Sequence, residues 1–170
     1  MMIRKLLSIT FLIALPLVSG FAQPKTDFSG TWKLNVEKSD FGILGGPSSR
    51  TDVITHKDPS ISNNVTSDGE QGKQQYTVSY TTDGKEAVNK IGPREVKSTV
   101  KWAGSNLVVS SKFAYNDMDV TTEGVWALSP DGKTLTINVH FTSAMGETDQ
   151  KYVFEKQEGS APPAPAKASS

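Results

Sequence analysis

The chain has 170 residues, no cysteine, and 18 basic residues against 18 acidic ones, so it carries no formal net charge. The lack of cysteine removes disulfides, thiol catalysis and thiolate metal sites together. The charge balance gives no electrostatic pull on nucleic acid or an anionic membrane surface.

In chain order, Arg4 and Lys5 precede an apolar run from Leu6 to Val18, and Gly20 and Ala22 supply small residues at the −3 and −1 positions of a cleavage site. This is the layout of a secretory signal peptide spanning 1–22, cut after Ala22. The run has 13 residues, short of the roughly 20 of a membrane-spanning helix, so an uncleaved anchor is the weaker reading and no membrane insertion is expected. Removing the leader leaves 16 basic against 18 acidic residues, a net of −2. The expected location is periplasmic or secreted.

A strand is expected to open at Gly30-Thr31-Trp32, with Leu34 and Val36 on the face of Trp32. Ser39 to Arg50 follows as a segment too flexible for a strand. It carries Phe41, Ile43 and Leu44 ahead of Gly45-Gly46-Pro47. From there the apolar period is two. Asp52, Ile54 and His56 alternate with Val53 and Thr55, and Ile61, Asn63 and Val65 follow the Asp58-Pro59-Ser60 turn. Further rows are Tyr76, Val78 and Tyr80; Val96, Ser98, Val100 and Trp102; then Leu107, Val109, Ser111, Phe113 and Tyr115. Val120, Thr122, Gly124, Trp126 and Leu128 come next, then Leu135 to Phe141, and finally Tyr152 with Phe154. Asp83-Gly84-Lys85 and Asp131-Gly132-Lys133 read as hairpin turns, because glycine supplies a positive φ there. Asp117 and Asp119 also read as turn residues. The Pro- and Ala-rich segment 157–170 reads as a disordered tail.

About eight to ten short strands joined by hairpin-length links make 23–156 an all-β domain, an up-and-down antiparallel β-barrel, since closure removes exposed sheet edges. A sandwich is the alternative, but it would usually need longer crossover links.

The stretch Phe28-Ser29-Gly30-Thr31-Trp32-Lys33-Leu34, with Asp40-Phe41 after it, resembles the first strand of the lipocalins and fatty-acid-binding proteins. From Asp27 to Lys156 the chain looks like the bacterial lipocalin-like exported proteins, which share the Gly-Thr-Trp start and repeated Asp-Gly-Lys turns. The resemblance implies a barrel holding a small hydrophobic molecule, with Gly30 and Trp32 closing one end. In lipocalins an arginine from near the last strand packs over that tryptophan. Here the region after Met145 offers only Lys151, Lys156 and Lys167. The fatty-acid-binding branch keeps arginines in its lumen for carboxylate, whereas Arg50 and Arg94 read as strand-start positions near turns.

The candidate ligand-binding residues are Phe41, Leu44, Tyr80, Trp102, Phe113, Tyr115 and Trp126. Tyr80, Trp102, Phe113, Tyr115 and Trp126 fall largely on the inward parity of successive strands, with Ser98, Ser111 and Thr122 as polar companions. Ordinary core packing is the competing reading for each aromatic. Phe41, Ile43 and Leu44 are expected to form either a hinged lid over the mouth or a permanent plug. His140 has outward parity and His56 sits at a strand end beside Lys57 and Asp58. Two distant histidines without cysteine assemble no familiar zinc site, and no cofactor is expected. There is no Gly-x-Ser-x-Gly elbow and no His-Glu-x-x-His, so an enzyme is the minority reading. The expectation is a monomeric exported protein that binds a small hydrophobic molecule and no nucleic acid. The rivals are a solid barrel that docks a protein or glycan, and a small barrel enzyme.

Overall fold

In the computed structural model, residues 25–70 and 72–159 are described. The leader and most of the tail lie outside them. The described chain is a meander of ten antiparallel strands. They are β1 (Gly30–Leu34), β2 (Ser49–Lys57), β3 (Ser60–Asp68), β4 (Gln74–Thr81) and β5 (Asp83–Ile91), then β6 (Arg94–Ala103), β7 (Asn106–Tyr115), β8 (Met118–Leu128), β9 (Thr134–Ser143) and β10 (Gly146–Lys156). The order around the sheet is β4-β3-β2-β1-β10-β9-β8-β7-β6-β5. The first strand therefore pairs with the last, and the two free edges, β4 and β5, meet at a seam. No ladder runs across that seam. Instead the Ser79 N–H donates to Asn89 Oδ1 (2.8 Å) and Asn89 Nδ2 donates to the Ser79 carbonyl (3.1 Å). One side-chain amide thus reproduces the bond pair that a neighbouring strand would exchange.

The structure corrects three details of the sequence reading. Asp83-Gly84-Lys85 is not a hairpin turn: β4 and β5 are joined through Thr82, and these residues form the bulged start of β5. That strand had no clear alternation to announce it. β1 ends at Leu34, so Val36 falls in a turn and is 41% exposed. Asp119 lies in β8, opposite Ala114, and not in a turn; His56 stands at the end of β2 as read, with its side chain buried against Phe28 and Trp102.

The meander places the β1–β2, β3–β4, β5–β6, β7–β8 and β9–β10 connections at one end. The end away from them is filled. Phe28, Trp32, Ile54, Leu107, Leu135 and Phe154 are each fully buried there. Trp32 lies across the barrel, its Nε1–H donating to the Phe28 carbonyl at 2.9 Å. The cation over its ring is Lys156, with Nζ 5.2 Å from the centroid; lysine stands where the resemblance implied arginine. Gly30 has φ +144°, and a Cβ there would lie 2.7 Å from the Lys156 side chain. Only glycine accommodates both that backbone and that approach.

The pKa values of the two histidines are shifted in opposite directions. Phe28 N–H donates to His56 Nδ1 (3.3 Å), which puts the ring proton on a buried Nε2. Burial pushes the His56 pKa below its ordinary 6.5, against the pull of Asp27 and Asp58. His140 faces outward, and its hydrogen bond with Asp149 (2.8 Å) raises its pKa. Stability from neutral His56 is therefore present above 6.5 and is lost as pH falls through its lowered pKa. The contribution of His140 is present below 6.5 and lost as pH rises through its raised pKa. An NMR titration of the ring protons is expected to show one midpoint on each side of 6.5. Two midpoints on the same side would contradict this placement.

Candidate functional site: a half-open lumen

Between the filled end and the mouth the lumen keeps a cavity of about 380 Å³, at the small end of the range that holds a ligand. The inward parity of the strands builds it. Val65 and Val78, Val96 and Val109, and Ile137 and Val139 supply aliphatic wall, while Tyr80, Phe113, Phe141 and Trp126 supply aromatic surface. Gly124 of β8 opens the space, because a side chain there would project between Val109 and Val139.

The polar part of the lining is larger than the sequence suggested. Arg50 near the start of β2 and Arg94 at the start of β6 are strand-start positions as read, and both side chains line the cavity. Arg50 shares the inward row of β2 with Asp52 and Ile54. Its Nε and Nη2 donate to the two Asp52 oxygens at 2.7 and 2.8 Å, a bidentate pair. Asp52 is 1% exposed. Burial opposes the charge on Arg50, but Asp52 more than offsets it and the guanidinium pKa is raised. The guanidinium also lies over the rings of Tyr152 and Phe154. Asn63 joins the pair from β3, its Nδ2 donating to Asp52 Oδ2 at 2.7 Å. Sequence reasoning missed this group because it assigned charge to the outside. The available signal was an Arg and an Asp two residues apart on the same row as Ile54.

Arg94 differs. Its guanidinium lies over Phe113 (5.9 Å) and Tyr115 (5.4 Å), and it makes no ion pair among the described residues. With Tyr76 and Ile91 it belongs both to the cavity and to a second hollow at the mouth, formed by Gln75, Pro93, Tyr115 and Asn116. Burial, then the neighbouring Tyr76, pushes the Tyr80 phenol up to about 12. It is therefore a protonated donor at ordinary pH. Ser98 and Ser111 hydrogen-bond each other at 2.8 Å beside it.

The sequence candidates thus divide by place. Tyr80, Phe113 and Trp126 line the cavity. Trp102 stands at the filled end, where its Nε1–H donates to Asp58 and its ring meets Phe28 and His56. Lys25 and Thr82 also bind Asp58, and these hydrogen bonds hold its pKa at about 2. Tyr115 is 41% exposed on the rim. In the first connection a 3₁₀ turn spans Gly42–Leu44. Ile43 and Leu44 are 89% and 58% exposed, so they do not plug the barrel. Phe41 turns inward onto Tyr152, 5.3 Å between centroids. The segment is held by Gln150 of β10, whose amide donates to the carbonyls of Phe41 and Gly45, while its Oε1 accepts from the Tyr152 hydroxyl.

Among the described residues no cluster of three or more metal-ligating side chains occurs, and no helix is long and apolar enough to cross a membrane.

No protein-family model matches the chain, and no curated protein does. Solved structures do. The fluorescent protein UnaG matches at a TM-score of 0.55 and 19% identity, covering 76% of this chain and 97% of its own. A secretory abundant heat soluble protein from Ramazzottius varieornatus matches at 0.56 and 12%, covering 78% and 100%. Zebrafish ileal bile acid-binding protein, solved with cholic acid, matches at 0.55 and 15%, covering 76% and 98%. At such identities the likeness establishes the fold, a calycin-type barrel, and nothing finer.

Proposed function

We propose that this protein is an exported, non-enzymatic carrier that holds one small, largely apolar molecule in its lumen. The observation that supports it most is the cavity itself. A solid barrel would have its lumen filled from end to end, whereas here the packed aromatic cluster stops halfway and leaves about 380 Å³ above it. Burying a ligand against Tyr80, Phe113 and Trp126 would contribute about 25 cal/mol for each Å² of apolar surface removed from water. Against an enzyme stands the state of the lumen's ionised pair, since Arg50 and Asp52 are engaged with each other. Solved barrels of this shape include a fatty-acid-binding protein from Schistosoma mansoni in complex with arachidonic acid, which is consistent with the proposal. The leader-like segment 1–22 supports export, and the near-neutral charge balance supports a protein with no pull on nucleic acid.

The test is a native mass spectrum of the protein purified gently from its own source. An extra mass that disappears on denaturation is expected. Gly124 has an ordinary φ, and a Cβ there meets nothing nearer than 3.7 Å, so Gly124→Val is expected to fold while its methyls occupy the cavity. That variant should lose the extra mass, or bind at least about tenfold more weakly. Retention of full affinity by a folded Gly124→Val protein would remove the lumen from consideration.

A further inference from the structure

We propose that the molecule held in the lumen presents a neutral hydrogen-bond donor, a hydroxyl or an N–H, to Asn63 Oδ1 inside the cavity. This rests on the lumen-binding reading above and specifies the ligand's chemistry.

Asn63 is 1% exposed and lines the cavity. Its amide orientation is fixed from one side. Nδ2 donates to Asp52 Oδ2 at 2.7 Å, and turning the amide over would set an oxygen against a carboxylate oxygen. Oδ1 is thereby directed away from Asp52, and it has no hydrogen-bond partner among the described residues. A buried acceptor left in that state costs roughly 1–3 kcal/mol, and the great majority of such groups are satisfied. The partner that Oδ1 lacks is a donor, which excludes a carboxylate as the group placed against it.

Arg50 does not overrule this. Asp52 takes the Nε hydrogen and one Nη2 hydrogen of Arg50 and balances its charge, so an anion drawn to the remaining N–H groups would sit beside a buried carboxylate with no net positive charge to hold it. The polar spot on this wall is therefore a neutral ion pair with one buried, unpartnered acceptor beside it. Arg94, which makes no ion pair among the described residues, lies over Phe113 and Tyr115 where the cavity meets the mouth hollow. Tyr80, Trp126 and the valines complete an apolar surround.

The experiment compares two neutral probes of the same chain, 1-dodecanol and dodecyl methyl ether, as competitors of Nile red bound to the purified protein. A merely apolar lumen prefers the ether, because the alcohol must shed hydrogen bonds to water. With Asn63 Oδ1 as acceptor the order inverts, and the alcohol should displace Nile red at a concentration at least about tenfold lower. In Asn63→Leu the preference should disappear or turn to the ether. A wild-type preference for the ether, or equal potency, overturns the proposal while the displacement itself upholds the lumen reading. Nile red that gains no fluorescence with the protein, or that neither probe displaces, overturns both. If Asn63→Leu does not fold, the wild-type ratio alone decides.

Discussion

Asp52→Ala is expected to destabilise the barrel by about 3–5 kcal/mol, enough to unfold many domains of this size. The substitution removes both acceptors of the Arg50 fork, at 2.7 and 2.8 Å, and the acceptor of Asn63 Nδ2. The guanidinium cannot swing into water, because Tyr152 and Phe154 lie against it and its side chain is only 20% exposed. A buried cation without its anion is what makes breaking such a pair far more costly than never having built it. The double variant Arg50→Met/Asp52→Leu should accordingly recover most of the loss, since apolar replacement of both partners is often neutral. Urea denaturation of the three proteins checks this. A single variant within about 1 kcal/mol of wild type would mean that Arg50 reaches solvent or another acceptor once Asp52 is gone.

Trp32→Ala should cost a similar amount, about 3–5 kcal/mol, by a different mechanism. Trp32 is fully buried at the filled end, and its loss would leave a cavity among Phe28, Phe154 and Ile54. It would also strand the Phe28 carbonyl, which accepts the indole N–H. Trp32→Phe keeps most of the ring surface and forfeits the hydrogen bond, so a cost of about 1–3 kcal/mol is expected. Thermal or urea unfolding separates the two. Equal losses from both variants would show that the hydrogen bond, and not packing, carries the residue's contribution.

Much of this architecture is legible in the chain itself, for a physical reason. A strand buried on one side must alternate, so the rows through Val96, Val109, Gly124 and Ile137 declare their inward face without any coordinates. Glycine with positive φ beside a tryptophan is equally legible at Gly30. β5 was hidden because an edge strand buries little: Val88 points out, 55% exposed, and Ala87 and Asn89 give the inner row almost no apolar signal. The candidate site was legible only in its aromatic half. Parity placed Trp102 and Trp126 on the same side, but how far up the barrel each lies depends on register, which put Trp102 with Asp58 at the filled end. Arg50 and Asp52 were hidden for the opposite reason. Charge is a reliable mark of the surface until two opposite charges share one row and satisfy each other.

The Asn89 bridge also bears on girth. In a barrel laddered all the way round, circumference is set by strand number and stagger, and altering it means tearing out an entire row of bonds. Here one lengthwise join is stitched by an amide, and releasing its two bonds would cost on the order of 1–3 kcal/mol. The wall can therefore widen there without any strand losing its neighbour, and under the proposed carrier function that freedom would let the lumen match its girth to the molecule it holds.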